Sequence, residues 1–167
     1  GGRVGKWTHG ANLLLNKDPK ITFKIAMELD QFNKERQMLE KDLLQKILNK
    51  TKDYSKDPIL ILSGKNWHEG VIGIVAARLK DKFNKPVIMI SIDGDIGKAS
   101  ARSIVGFDIG TMIISAKHEK ILVKGGGHKM AGGFSIKIEN IEKFKNFIFR
   151  KFKNINEDLT SQKPLML

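Results

Sequence analysis

No cysteine occurs in the 167 residues. Disulfides and thiolate zinc sites are thereby excluded, and a reducing, cytoplasmic setting is favoured. No apolar run approaches the ~18 residues that cross a bilayer, so no membrane partner is expected. Paired-carboxylate, nucleophile-elbow and P-loop patterns are missing, as is any Asp- and His-rich run able to hold two metals. No catalytic set is therefore expected within these residues. Internal repeats and low-complexity blocks are lacking as well.

What the chain does have is positive charge: 30 Lys and Arg against 18 Asp and Glu, a formal net charge of +12. Such an excess fits a polyanionic partner, nucleic acid above all. Its plainer source is a composition rich in Lys, Asn and Ile, of the kind an AT-rich genome produces. With 41% apolar residues the chain is expected to fold. Its length suits one sizeable core, or a domain with an appendage. The opening GGRVGKWTHG has no initiator Met and reads as the interior of a larger protein.

Residues 1–19 read as a segment between domains, with one short helical stretch, ANLLL. From Ile21 to Lys50 the apolar residues Ile21, Ile25, Leu29, Phe32, Leu39, Leu43 and Ile47 recur at helical spacing. A helix over 20–50 would approach ~45 Å, long enough to act as a spacer between two lobes. A polar break, TKDYSKDP, follows. The pattern then becomes α/β over 57–153. ILILS is predicted to be a buried strand. Asn66 is predicted to cap the helix VIGIVAARLKDKF, with Glu69 reaching back. PVIMISI is a second buried strand, IGKASARSI a more polar third, and GFSIKI a fourth. Asp108 is predicted to cap a helix to about Lys117. Asn140 opens a last helix, and 154–167 reads as a flexible tail.

Two stretches are rich in phosphate chemistry. In VKGGGHKMAGGF, Gly125, Gly126 and Gly127 permit positive φ and close backbone approach. Their amides can form an anion nest, with a following helix N-terminus adding its dipole, and His128 and Lys129 supplying charge. The alternative is a tight loop in which glycine only permits packing. In GKASARS, strand alternation puts Lys98, Ser100 and Arg102 on one face. Gly97, Ala99, Ala101 and Ser103 lie on the other. A hydroxyl between two cations makes a phosphate clamp; the alternative is a solvated edge strand carrying protective charge. His68 falls near a helix N-terminus, where it can meet an anion, or simply point to solvent. His68 and His128 lack the spacing of a metal pair. His9 and His118 sit among polar neighbours and are expected to be exposed.

Taken together, WHEGVIGIVAARL, GKASARSIVGFDIG and GGGHKMAGGF resemble the DHHA1 domain of RecJ-type exonucleases, which are specific for single-stranded DNA. ELDQFNKERQMLEKDLL is similar to the long connecting helix of that family, and GGRVG to the segment joining its two domains. The resemblance covers about residues 3–150. It implies an α/β fold with a small mixed sheet flanked by helices and preceded by the long helix. It also implies degradation of single-stranded DNA from the 5′ end, in DNA repair and recombination. The metal-binding DHH domain of the same polypeptide, with Mn2+ or Mg2+, is not among these residues, so the chain alone is expected to be inactive.

The resemblance assigns the 5′ phosphate to Ser100 and Arg102, a phosphate at or beside the scissile bond to His128, and a DNA-facing position to Arg3. With the residue chemistry above, the substrate-binding set is Arg3, His68, Ser100, Arg102, Ser103, Gly125, Gly126, Gly127 and Lys129. Base stacking is left to Trp67 and a few Phe residues. Two other readings compete. One is a related DHH phosphodiesterase acting on short oligoribonucleotides or cyclic dinucleotides. The other is a stand-alone nucleic-acid-binding module, like the appendage of alanyl-tRNA synthetases. The long helix and WHEGVIG favour the RecJ type.

Overall fold

The computed structural model describes residues 8–49 and 57–161, with side chains to Lys153. Arg3 and most of the polar break lie outside the described residues.

A short helix, α1 (His9–Leu15), precedes the long α2 (Pro19–Asn49). Proline at the first helical position has its φ set in advance, and the Asp18 carboxylate accepts from the Lys20 amide at 2.9 Å. At ~1.5 Å per residue α2 runs about 46 Å. Its C-terminal part is packed: Leu43 and Ile47 are buried, and Leu39, Leu44 and Leu48 are partly so. Its N-terminal half leaves Phe23 and Met27 exposed. His9, expected to be solvated, is instead largely covered. Its Nε2 lies 2.6 Å from the Glu28 carboxylate, and its ring meets Phe32 edge-on, which fastens α1 to α2. His118 is exposed, as its polar surroundings imply.

Five strands form one mixed sheet: β1 (Leu60–Lys65), β2 (Val87–Asp93), β3 (Ile96–Arg102), β4 (Lys124–His128) and β5 (Ala131–Lys137). Their order is β1-β2-β3-β5-β4. Only β1 and β2 run parallel, joined through α3 (Glu69–Phe83). β2 and β3 form a hairpin turning at Gly94, whose φ of 53° suits glycine. The chain then passes through α4 (Ile109–His118) to β4, and β5 returns between β3 and β4.

Apolar residues on both sheet faces build two cores. On one face Leu60, Val87 and Met89 meet Val71, Val75 and Leu79 of α3 and Leu43 and Ile47 of α2. On the other, Ile88, Ile90, Ala101, Phe134 and Ile136 meet α4 and the last helix, α5 (Ile141–Ser161), through Ile113, Phe144 and Ile148. β2 reads as a continuous apolar run because both cores cover it.

Three sequence expectations change. β1 is an edge strand: Ile59 and Leu60 are buried, but Ser63 and Lys65 are exposed. Asn66 does not cap α3. It takes φ 60° to end β1, and His68 caps instead, its Nδ1 accepting from the Gly70 amide at 3.1 Å. Glu69 is then the first helical residue, too early to close a capping box. Finally, a one-turn 3-10 segment, Ile138–Asn140, precedes α5, and α5 carries residues 154–161 that read as tail.

Candidate functional site

β3 is central, not an edge, so its charged face is a feature of the middle of the sheet. Lys98, Ser100 and Arg102 point to the α3 side, while Gly97, Ala99 and Ala101 are buried on the other. Residues directly opposed on paired strands share a face. Arg102 opposes Ala131, which opposes His128. Ser100 opposes Gly133, which opposes Gly126; Lys98 opposes Ser135, which opposes Lys124. Three rows therefore put Lys98, Ser100, Arg102, Lys124 and His128 around a floor of Gly126 and Gly133. At ~4.8 Å per strand, Arg102 and His128 lie about 10 Å apart along their row.

α3 covers the β2–β3 part of this face and leaves the β5–β4 part open. Two adjoining clefts result. A larger one of about 880 Å³ is bordered by Trp67, His68, Gly73, Asp93, Ser100 and Arg102. A smaller one of about 450 Å³ is bordered by Lys98, Lys124, Gly125, Gly126 and Gly133. Glu69 and Ser100 border both.

Local packing fixes the positions of Ser100 and Arg102. A Cβ on Gly73 would come within 2.7 Å of the Ser100 hydroxyl and 3.0 Å of Arg102 Nη2. The bare glycine thus lets α3 settle directly over both. Arg102 Nη1 donates to the Ala101 carbonyl at 2.7 Å and to Ser100 Oγ at 3.2 Å. His68 and His128 each use Nδ1 as an acceptor, from the Gly70 and Met130 amides. In the neutral rings the proton is then on Nε2, which becomes a donor for an anion.

The glycines divide by role. β4 is extended, and none of its glycines has positive φ, so the nest expected there does not form. No helix follows it either; the chain turns at Lys129 and Met130 into β5. A Cβ on Gly125 would meet Phe134 and Ile113, and one on Gly127 would fall 2.5 Å from the Ala131 carbonyl. Those positions are glycine for packing against β5 and α4. Gly126 alone of the three faces open space, with nothing within 4 Å of its Cβ position.

The other expected residues separate. Ser103 is buried, and its hydroxyl donates to the Phe107 carbonyl at 2.6 Å, holding a loop instead of facing the cleft. Lys129 lies in the turn, borders neither cleft, and has Asp108 as its charge neighbour. Asp108 caps α4 as expected, accepting from the Thr111 amide at 3.0 Å. That hydrogen bond, helped by the Lys129 charge, lowers its carboxyl below the usual aspartate value. Trp67 packs over Gly64 at the cleft rim.

Sequence reading missed Gly110, whose Cβ would lie 2.9 Å from the His128 backbone, so the first turn of α4 buttresses the hairpin. It also missed the ion pair of Lys98 with Glu69 at 2.7 Å, which raises the Lys98 pKa. Neither is visible without strand register. Among the described residues no three His, Asp or Glu side chains converge as metal ligands, and no helix is long and apolar enough to cross a membrane.

The DHHA1 domain family matches residues 39–154. The chain is 34% identical over 153 residues to the single-stranded-DNA-specific exonuclease RecJ of Haemophilus influenzae, covering 87% of this chain and 27% of that protein. It is 35% identical over 143 residues to the protein of the same name from Bacillus subtilis, covering 84% and 18%. The crystal structure of RecJ from Thermus thermophilus in complex with Mn2+ superposes with a TM-score of 0.79 at 29% identity, over 98% of this chain and 23% of that one. The chain spans well under a third of each of these relatives.

Proposed function

The chain belongs to the DHHA1 domain family, and from that premise we propose that it is the substrate-holding part of a RecJ-type exonuclease. The activity is hydrolysis of single-stranded DNA from the 5′ end, in cytoplasmic DNA repair and recombination. The observation that carries this reading is the row register: Arg102 and His128 share one sheet face with Ala131 between them, and the adjoining Ser100 row continues into Gly133 and Gly126.

In this reading the 5′ phosphate enters the larger cleft. Arg102 binds it with fixed N–H geometry, the Ser100 hydroxyl adds a hydrogen bond, and His68 donates from Nε2 at the rim. α3 closes one side, which gives the end a stop and the strand a polarity. The backbone then crosses Gly126 and Gly133, where no side chain stands in its way. His128 donates to a phosphate farther along and offsets charge as the phosphodiester reacts. Bases go largely unread, and affinity is electrostatic.

The described residues offer no donor set for a metal. In the proposal Mn2+ or Mg2+ belongs to a DHH domain of the same polypeptide, and no step at this chain's residues runs through it. The chain alone is expected to hydrolyse no DNA. The test is binding to oligothymidylate with and without a 5′ phosphate. Tighter binding of the phosphorylated strand supports the reading, and binding blind to the end contradicts end recognition by this face.

A further inference from the structure

We propose that Glu69 sets the affinity of the phosphate face by holding Lys98 in an ion pair. This rests on the reading of that face as a track for single-stranded DNA. Lys98 occupies the same row as Lys124 and borders the smaller cleft. Glu69 borders both clefts, and its Oε1 lies 2.7 Å from Lys98 Nζ. Asp93, on the rim of the larger cleft, adds a second negative charge near the same ammonium.

The pair has little to do for stability. Both side chains are about half exposed, at 56% and 48%, and exposed pairs contribute little. α3 is already capped by His68 and anchored by buried Val71, Ile72, Val75 and Leu79. The consequence of the pair lies in the cleft instead. One cation of the face is neutralised before a strand arrives, and a carboxylate stands between the two clefts. A phosphate competes with the Glu69 carboxylate for the charge of Lys98. Lys98 thus gives up most of its counterion-release contribution, and each phosphate leaves more readily. That suits a strand that must advance between cleavage steps.

The test is fluorescence anisotropy of labelled oligothymidylate across a salt series. It uses the wild-type chain, Glu69→Gln, Lys98→Ala and the double variant. Glu69→Gln is expected to bind about fivefold tighter at ~50 mM salt, with a log–log salt slope steeper by about 0.7, as for one further phosphate contact on a single strand. Lys98→Ala is expected to weaken binding, because it leaves the Glu69 carboxylate unpaired between the clefts, and to reduce the gain that Glu69→Gln gives. Wild-type affinity and slope in Glu69→Gln overturn the inference, as does a gain from Glu69→Gln that is as large in the Lys98→Ala background as in the wild type. If the wild type binds and Glu69→Gln matches it, this inference fails alone. Binding by neither overturns the single-strand track as well.

Discussion

Arg102 and His128 stand in one cross-strand row, with Ala131 of β5 between them. In the proposed function a strand held at Arg102 by its terminal phosphate passes His128 after crossing a fixed width of sheet. If that division holds, Arg102→Ala removes preference for the end more than general affinity. We expect the ratio of binding to 5′-phosphate over 5′-hydroxyl oligothymidylate to fall about tenfold, the loss of one charged hydrogen-bonded contact. Equal weakening of both ligands contradicts it.

Gly73 offers a test that separates site geometry from stability. Alanine there gains helix propensity of about 1 kcal/mol but drives a methyl group toward the Ser100 hydroxyl and Arg102 Nη2. Gly73→Ala is expected to melt within a few degrees of the wild type while losing most preference for the phosphorylated end. Thermal unfolding and end-specific binding, measured on the same sample, check both halves.

The neighbouring glycines of β4 should behave oppositely. Gly126→Ala meets no atom within 4 Å, so its melting temperature should hardly move while oligothymidylate binding weakens. Gly127→Ala forces a methyl group against the Ala131 carbonyl, 2.5 Å away. It should destabilise the fold by about 1–3 kcal/mol, as overpacking does. Denaturant titration of the two variants distinguishes floor from packing.

Asp108 links stability to pH. Its carboxyl is lowered, first by the Thr111 amide and also by Lys129. A lowered pKa means that the folded state holds the ionised form more tightly than the unfolded chain does. The stabilisation is therefore present at neutral pH and is lost as pH falls below the ordinary aspartate value of 3.8. Asp108→Ala should lower the melting temperature at neutral pH, and the gap from the wild type should narrow in acid.

Much of this was legible from local pattern. Alternation in GKASARS correctly sets Lys98, Ser100 and Arg102 apart from Ala99 and Ala101, because period-two burial needs no tertiary knowledge. The long helix, the buried β2 and the Asp108 cap are local signals of the same kind. Pairing is not local. That β3 is central, and that β5 inserts between it and β4, decides that Lys124 and His128 share its face. The glycine run misled for a related reason: glycine permits a nest, but it equally permits a flat strand pressed against Ile113. Glu40 is not set apart by local pattern from the other charges of α2. It is buried, and it binds Arg36 at 2.8 Å and Arg78 of α3.

If one sheet face carries the strand, titration of the isotope-labelled chain with 5′-phosphorylated oligothymidylate will show it in the amide and side-chain NMR shifts. The largest shifts are expected at Ser100, Arg102, Gly126, Gly133 and His128, with the buried Ala99 and Ala101 little changed. Shifts confined to the lysines of α5, on the opposite face, would contradict it.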